Sequence, residues 1–407
     1  MFKDRLSGPA PRLATLVKGA WRRVVGHPVI RSITPIGWTL IVGLPLSAVV
    51  GWRAGWLEFR ALAVMAAVVM AVAGVFVLRR REHTVELELH RPRVQAGDQA
   101  LGRILVKAAG GKSSGPTTME LPVGRAVATF RVGSMAPDDE HEEMFEIPTR
   151  RRGIVTIGPV RSVQTDPLGA VSRQKFLTDQ LELFIHPRIA HVSSGAIGFL
   201  KDVEGVATTN LSSSDVSFHA LREYRPGDDR RAVHWKTTAR TGKLMVRQFE
   251  ETMRAHLVIM LATREADYER PEDFELAVAV AGSLAASALR DERQVSVLTS
   301  TGELRFPNAL GLLDRLSGVE LTRDGRDHRS LAVQAGDVAG MSVAAFITGT
   351  TPPVTLRAAQ LALSPGIFPF AIRCGMSLDV AKRKVGALTV LDVSRLSELP
   401  AAVGSLS

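Results

Sequence analysis

A dense run of polar and aromatic side chains between His219 and Arg240 is the part of this 407-residue sequence best suited to chemistry. Residues 222–247 hold eight Lys or Arg and three Asp or Glu side chains, a local excess of five positive charges. Guanidinium groups bind phosphates and carboxylates through paired hydrogen bonds, so the run predicts binding of an anion or of a partner protein. The candidate binding residues are Arg222, Tyr224, Arg225, Asp228, Asp229, His234, Trp235, Lys236 and Arg240.

Two other interpretations of the same run stay open. In one, the arginines and acids form an ion-paired structural junction between the preceding and the following domain, since buried charges require partners. In the other, His234 is a general base that is oriented by Asp228 or Asp229, or one of these carboxylates binds a metal. Catalysis is the least favoured, because no nucleophile stands out and because His219 and His234 lack the spacing of a metal-ligand pair. We therefore assign no catalytic residue, no cofactor and no metal ligand.

A turn, a short helix and a strand are predicted to position these side chains. Pro226-Gly227 suits the central positions of a type II turn, and Asp228 or Asp229 is predicted to cap the following helix. Gly242 is predicted to end that helix, and Lys243–Phe249 to form a strand. The helix would carry on one face Ala232, Trp235 and Ala239.

Charge and hydropathy predict a membrane anchor at the N-terminal end. Residues 1–81 carry 12 basic and 2 acidic side chains, which is the whole net charge of +10, while the remainder is balanced at 39 of each. We predict a basic segment at 1–31 and, within 32–81, two transmembrane helices at about 34–54 and 61–78, because an 18-residue apolar helix spans about 27 Å. A buried helical hairpin is disfavoured, since basic clusters flank both outer ends.

The distribution of charge also predicts location and excludes one class of partner. Lys and Arg are concentrated outside the loop between the two spans, so the protein is expected to be a multi-pass protein of the cell membrane. Both termini and the soluble domains are then cytoplasmic, and the single Cys374 fits a reducing compartment. Because the soluble part has no excess charge, the sequence argues against a nucleic-acid partner.

From Thr84 the hydrophobic pattern changes to the period of two that is typical of β-strands. Short strands are predicted at 85–89, 100–107, 126–132, 144–147, 153–157 and 181–185. They predict a β-sandwich-like module over 84–190, followed by a Ser/Gly-rich linker over 191–218. Within the module, Arg150-Arg151-Arg152-Gly153 predicts a solvated hairpin turn, with contact to a phosphate or lipid headgroup as the less favoured alternative.

Several motifs together resemble a known family. They are the run from His219 to Arg240, the following 243–250, Arg151-Arg152-Gly153, Gly158-Pro159 and Asp166-Pro167-Leu168-Gly169. This combination is similar to the domain-of-unknown-function 58 (DUF58) family, bacterial membrane proteins usually encoded beside MoxR-type AAA ATPases. The resemblance covers most of the chain and makes 219–250 the family motif. The family has no settled activity, and the resemblance implies a C-terminal domain related to von Willebrand factor A domains.

Residues 251–407 on their own predict a parallel α/β domain. Leu257–Leu261 is a continuous apolar run typical of a buried parallel strand, and strands and helices alternate after it. The later predicted strands are 295–298, 342–347, 368–372 and 388–391, and the helices are 274–289, 310–316 and 356–363. Metal-binding members of the von Willebrand factor A fold carry Asp-x-Ser-x-Ser after the first strand. Here Ala262-Thr263-Arg264-Glu265-Ala266 stands there, so we expect no metal site.

These observations favour an α+β multidomain protein. It comprises a transmembrane helical hairpin, a β-sandwich-like module and a von Willebrand factor A-like domain that lacks the metal site. The expected function is a non-enzymatic, membrane-anchored cytoplasmic adaptor. By resemblance its partner is a MoxR-type AAA ATPase, in assembly or remodelling of an envelope complex. The alternative is an enzyme that acts on a phosphorylated or envelope-derived substrate through Asp228, His234 and Arg240. No phosphate-binding Gly-x-x-x-x-Gly-Lys loop is present in the sequence to suggest a nucleotide cofactor.

Overall fold

The computed structural model describes residues 33–78, 83–108, 115–137, 139–165, 169–192, 217–226, 228, 230, 233–250 and 256–406. The predicted basic segment 1–31, most of the predicted linker 191–218 and the candidate residue Asp229 lie outside these residues. The chain divides into two compact units, which are described separately. The first unit takes its residues from Met1–Val94, Asp98–Thr149 and Ile154–Leu183, and the second from Gln95–Gly97, Arg150–Gly153 and Phe184–Ser407.

Two apolar helices open the first unit, α1 (Pro35–Arg53) and α2 (Leu57–Leu78). Their most apolar stretches have mean hydropathies of 1.5 and 1.9, and both helices are long enough to cross a membrane. The two predicted helices are thus present, although α2 begins four residues earlier than predicted. The helices meet where Gly51 faces the backbone of Arg60, whose Nε donates a 2.8 Å hydrogen bond to the carbonyl oxygen of Gly51.

Two β-sheets follow the helices. Strands β1, β3 and β6 form a three-stranded sheet in the order β1-β3-β6. A second sheet runs in the order β2-β10-β7-β4-β8-β9, with β5 paired to β4. The strands are β1 His83–Leu89, β2 Arg93–Gln95, β3 Ala100–Ala108, β4 Thr117–Val123, β5 Ala126–Val132, β6 Glu140–Ile147, β7 Gly153–Ile157, β8 Arg161–Thr165, β9 Ser172–Phe176 and β10 Leu181–His186.

The start of α1 is hydrogen-bonded to the turn between β8 and β9. The Thr34 amide donates to the carbonyl oxygen of Ala170 at 3.1 Å, and the Thr34 hydroxyl donates to the carbonyl oxygen of Gly169 at 2.5 Å. The same hydroxyl accepts from the Gly37 amide at 3.1 Å, so Thr34 also caps the helix. A Cβ at position 37 would overlap the carbonyl oxygen of Ala170, which explains the glycine there. The first turn of α1 is therefore fixed to the β-sheet part of its unit.

A doubly wound α/β sheet forms most of the second unit. Its strand order is β15-β14-β13-β16-β17-β19-β18, in which β14, β13, β16, β17 and β19 are parallel and both edge strands are antiparallel. The strands are β13 His256–Leu261, β14 Gln294–Thr299, β15 Gly302–Leu304, β16 Met341–Thr348, β17 Phe368–Cys374, β18 Ala381–Val385 and β19 Leu388–Val393. The parallel α/β prediction is confirmed for this part of the chain.

Helices cover both faces of this sheet. Leu257, Ile259 and Leu261 lie in an apolar core on one face with the long helix α4 (Pro271–Arg290), while Val258 and Met260 lie in a second core on the other face. Every residue of β13 is consequently buried, as its continuous apolar run predicted. Helix α3 (Trp235–Thr241) precedes this sheet in the chain. The remaining helices are α5 Ala309–Ser317, α6 His328–Gly336, α7 Pro353–Gln360 and α8 Leu399–Gly404.

The solvated turn predicted for Arg150-Arg151-Arg152-Gly153 is wrong for Arg152, whose side chain is only 4% exposed. Its guanidinium donates to Glu275 at 2.7 Å and to the carbonyl oxygens of Leu316 and Val319 at 3.1 and 2.5 Å, and it lies 4.9 Å from the centroid of the Phe274 ring. Burial lowers the pKa of Arg152 below its ordinary value, and the Glu275 carboxylate opposes that shift. Neither a phosphate nor a lipid headgroup can reach a guanidinium enclosed in this way.

Candidate functional site

The polar motif lies between two paired strands of the second unit. Strand β11 (Ser217–Glu223) runs antiparallel to β12 (Met245–Glu250), with a register shift between Phe218 and Ala220. Helix α3 (Trp235–Thr241) lies in the connection. An isolated bridge between Val233 and Val246 and a 2.8 Å hydrogen bond from the Tyr224 amide to the Leu244 carbonyl oxygen hold the connection against the hairpin.

The chain closes on itself between Arg225 and Asp228, where the Asp228 amide donates a 3.1 Å hydrogen bond to the Arg225 carbonyl oxygen, as expected for the predicted turn; Gly227 lies outside the described residues. The Asp228 carboxylate accepts from the Arg225 amide at 2.8 Å and from both Nη atoms of Arg222 at 2.7 and 2.8 Å. This pairing lowers the pKa of Asp228 and raises that of Arg222, with the side-chain hydrogen bond as the main cause of both shifts. Arg222 and Asp228 therefore stabilise the turn of their own hairpin.

The prediction that Asp228 or Asp229 caps helix α3 is wrong for Asp228, because His234 is the N-cap residue. Its Nδ1 accepts from the Thr237 amide at 3.3 Å and lies 2.7 Å from the Thr237 hydroxyl. The helix begins six residues later than capping by Asp228 would place it, since Asp228 closes the turn instead. The predicted end is confirmed: Gly242 has φ +69° and donates its amide to Thr238.

Helix α3 and the residues that follow it present an exposed, positively charged surface. None of the helical residues is buried, and Trp235 is 68% exposed. The predicted apolar face of Trp235 and Ala239 is thus exposed, while Ala232 lies outside the described residues. We call this set the cationic helix surface: Trp235, Lys236, Arg240, Lys243 and Leu244. Arg225 is also exposed, whereas Tyr224 is half-buried.

The three residues of the enzymatic alternative have separate surroundings. Asp228 is bonded to Arg222 and to the Arg225 amide, and His234 caps its helix through Thr237. Arg240 is exposed in the last turn of α3. In the portion of the chain that the structure describes, none of the three hydrogen-bonds to another of them. Nor does that portion contain a group of three or more His, Cys, Asp or Glu side chains able to hold a metal ion.

A second polar cluster, which the sequence analysis did not anticipate, lies at the carboxyl ends of β13, β14 and β16. The strand order reverses here, and open α/β sheets bind their ligands at such points. Arg264 makes a two-pronged ion pair with buried Asp267, at 2.8 and 3.1 Å, which raises the pKa of Arg264. Nearby, buried His328 bonds Thr348 at 3.0 Å, and burial lowers the pKa of its imidazole. The side chains that follow β13 thus pair with each other.

A further buried carboxylate, Asp392, lies in β19. Its carboxylate lies 3.5 Å from the nearest Arg373 nitrogen and 3.4 Å from that of Arg383. Burial raises the pKa of Asp392, and the two guanidinium groups oppose the shift. Ser394 hydrogen-bonds Glu398 through both its amide and its hydroxyl. Asp392 and Ser394 therefore have different partners.

A known protein family and a known bacterial protein each match part of this chain. The model of the family described as protein of unknown function DUF58 matches residues 220–316. The uncharacterized protein YeaD of Bacillus subtilis (strain 168) is 28% identical over 149 residues. That alignment spans 36% of this chain and 36% of the length of YeaD, so the match covers only about a third of the relative.

Solved structures give only weak similarities. The CARDB domain of the PF1109 protein from Pyrococcus furiosus is 17% identical with a TM-score of 0.22, over 26% of this chain and 90% of that one. The alkylpurine DNA glycosylase AlkC of Pseudomonas fluorescens is 10% identical with a TM-score of 0.21, over 44% of this chain and 49% of that one. At such scores neither structure bears on this fold. The predicted resemblance to the DUF58 family is confirmed over residues 220–316.

Proposed function

We propose that this protein is a membrane-anchored adaptor that binds a protein partner through the cationic helix surface. The observation that carries the proposal is the 68% exposure of Trp235 on a helix that has no buried residue. Arg222 and Asp228 are committed to the turn, whereas Lys236 and Arg240 are exposed, as is Lys243, which makes a surface ion pair with Glu223 at 3.1 Å. Aromatic and arginine side chains are enriched at protein interfaces. Because the Trp235 ring is mostly exposed, it contributes little to the packing of its own helix.

The energetics of such a surface favour a protein partner with carboxylates. A tryptophan buries roughly 150–250 Å² when it is covered, and apolar burial contributes about 25 cal/mol per Å². The lysines and the arginine add charge complementarity, which mainly raises the association rate and the specificity. The DUF58 resemblance suggests a MoxR-type AAA ATPase as the partner, in assembly or remodelling of an envelope complex. That identity is a proposal from the family alone.

The anchor and the α/β unit complete the proposal. We propose that α1 and α2 cross the cell membrane as a hairpin, with both ends on the cytoplasmic side. The hydrogen bonds from Thr34 to residues 169 and 170 support this, because they place the start of α1 beside the sheets that follow α2. We also propose that the α/β unit is von Willebrand factor A-like. The support is its parallel sheet with an antiparallel β15 beside β14.

The test is binding of the full chain, in nanodiscs, to a purified MoxR-type ATPase from the same genome. We expect Trp235→Ala to weaken binding at least tenfold, since buried tryptophans are frequent hot spots. Lys236→Glu with Arg240→Glu should weaken it further and slow association. The matched control is Arg305→Glu with Arg329→Glu, two exposed arginines elsewhere in the second unit. If the Lys236/Arg240 and Arg305/Arg329 double variants lose affinity equally, or if neither loses affinity, the cationic helix surface is not the binding site.

A further inference from the structure

The three-stranded sheet of the first unit exposes one complete face. Along its strands, exposed or half-buried side chains alternate with more buried ones, and the register of β1 and β6 against β3 aligns the outer ones into three rows of three. A fourth row begins at His90, directly after β1, and the His90 amide donates to the Leu101 carbonyl oxygen at 3.1 Å. We call this set the acidic sheet face: Thr84, Lys107, Glu140; Glu86, Leu105, Glu142; Glu88, Arg103, Met144; and His90, Leu101, Glu146. The opposite pleat carries buried residues such as Ile104 and Val106.

The charges on this face do not balance. Five glutamates stand against two cations. Arg103 pairs with Glu88 at 2.6 Å and approaches Glu142 at 3.7 Å, and Lys107 pairs with Glu140 at 2.8 Å. Within the described ranges, Glu86 and Glu146 have no ion pair. Repulsion among close like charges on one sheet face is unfavourable, so additional cations brought to the face would stabilise it.

The face also contains an apolar groove. An open cavity of about 460 Å³ is bounded by Glu88, His90, Leu101, Arg103, Glu142 and Met144. Met144 is 63% exposed and Leu101 37% exposed, so both side chains offer apolar surface to a ligand. The cavity is large enough for one or two aliphatic side chains, and carboxylates lie at its rim.

We propose that the acidic sheet face binds a cationic peptide segment of a partner protein, with one apolar side chain of that segment in the groove between Leu101 and Met144. Charge complementarity selects this occupant: a Lys- or Arg-rich segment supplies the missing cations, whereas an anionic lipid surface or a nucleic acid would be repelled. This surface belongs to a different unit from the cationic helix surface, so the two sites can be tested and can fail independently.

The experiment measures fluorescence anisotropy of a labelled nonapeptide, Lys-Lys-Leu repeated three times, with the full chain in phosphatidylcholine nanodiscs and empty nanodiscs as the blank. Glu86→Gln, Glu142→Gln and Glu146→Gln together should weaken binding about tenfold, since each exposed charge pair contributes modestly. The matched control, Glu303→Gln with Asp324→Asn and Asp379→Asn, removes three exposed carboxylates from the second unit and should leave the affinity unchanged. Met144→Ser should abolish the preference for this peptide over its Lys-Lys-Ser analogue.

The variant Arg103→Gln distinguishes a cationic ligand, which we propose, from an anionic one. If a cationic segment binds, Arg103→Gln releases Glu88 and Glu142 and strengthens binding. An anionic nonapeptide, Glu-Glu-Leu repeated three times, is measured in the same way. If it binds more strongly than the Lys-Lys-Leu peptide, and if Arg103→Gln abolishes its binding, the proposal is overturned. Equal affinity of the triple variant and the wild type would also overturn it. The proposal would also be overturned if deletion of residues 1–31 increased peptide binding, or if the triple variant dissociated an oligomer. In either case the segment that occupies the acidic sheet face would belong to this chain itself.

Discussion

At the scale of single residues, Arg152 makes the strongest prediction about stability. Arg152→Ala removes a buried guanidinium that satisfies two carbonyl oxygens and the Glu275 carboxylate. Because Glu275 is 38% exposed, its charge can be rehydrated, and most of the loss comes from the unsatisfied carbonyls and the lost packing on Phe274. We expect a loss of about 2–4 kcal/mol in the free energy of unfolding of the second unit.

The neighbouring arginine supplies the control for this change. Arg151 is 69% exposed and pairs with Glu272 at 3.1 Å on the surface. Arg151→Ala should therefore change stability by no more than about 0.5 kcal/mol. Chemical denaturation measures the free energy of unfolding of both variants, and hydrogen exchange in α5 provides a second, local measurement. Similar values for the two would show that the enclosure of Arg152 contributes little.

The Asp228 turn predicts a dependence on pH. Hydrogen bonds from Arg222 and from the Arg225 amide lower the pKa of Asp228 in the folded protein, whereas in the unfolded chain it has its ordinary value of about 3.9. A lowered carboxyl pKa contributes stability that is complete above the unfolded value and is lost as pH falls toward the folded value. Protection of the Tyr224, Arg225 and Asp228 amides, which are hydrogen-bonded in the turn and hairpin, should stay constant from pH 8 to 5 and decrease below about pH 4.

Hydrogen exchange, expressed as protection factors that correct for the intrinsic rate at each pH, measures this behaviour. Asp228→Asn should lower the protection at neutral pH and remove its acid dependence, because the amide cannot titrate. Asp379→Asn, an exposed aspartate in another loop, is the control. Acid-dependent protection that survives in Asp228→Asn would assign the effect to a different carboxylate.

At the scale of elements, the contact of α1 with the β8–β9 turn depends on Gly37. Gly37→Ala places a methyl group against the carbonyl oxygen of Ala170 and should break the hydrogen bonds made by Thr34. We expect a loss of about 1–3 kcal/mol, as for other overpacked sites. Gly43 lies in the same helix and has nothing within 4 Å of an added Cβ, so Gly43→Ala should be neutral or slightly stabilising.

Thermal denaturation of the detergent-solubilised chain, with limited proteolysis at 169–171, compares these two glycine variants. Faster cleavage in Gly37→Ala alone is the expected result. Equal behaviour of the two variants would mean that the start of α1 is not fixed to the turn.

The strands that the sequence predicted have an alternating or continuous apolar pattern in the sequence itself, even where, as in Ala126–Val132, most side chains are exposed. The strands Ala126–Val132 and Gly153–Ile157 match the predicted bounds, and β13 was evident from its apolar run. Among the missed strands, β9 and β18 bury none of their side chains, and β4, although its buried positions alternate, carries Pro122 near its end. Helix α6 was missed because two of its four buried residues are alanines and a third is a histidine.

In the candidate site, residue types were predictable but their partners were not. The turn at 225–228 and the glycine that ends α3 follow from local backbone preferences, which a sequence displays directly. The choice of His234 over Asp228 as the N-cap depended on Arg222, which engages the aspartate from the preceding strand. The exposure of Trp235 was equally hidden, since an aromatic residue at helical spacing is usually buried.

At the scale of the whole molecule, the order of the strands in the α/β sheet is a property that local sequence patterns do not predict. Alternation of strands and helices predicts a parallel sheet, but the pairing of β13 with both β14 and β16 depends on contacts far apart in sequence. The cluster at this reversal point was missed for the same reason: Arg264 and His328 are 64 positions apart in the chain. Hydropathy, by contrast, needs no tertiary information, so the two apolar N-terminal helices of the proposed anchor were predictable from the sequence.

The orientation of that anchor can be tested because the chain has a single, buried cysteine. Cys374 is fully enclosed, and burial raises the pKa of its thiol, so the wild type should react little with maleimides. Ala54→Cys, between α1 and α2, should react with a membrane-impermeant maleimide in spheroplasts, since the positive-inside bias puts this loop outside. Glu303→Cys in the second unit should react only after permeabilisation. The reverse pattern would invert the topology, and the cationic helix surface and the acidic sheet face would then both meet extracytoplasmic partners.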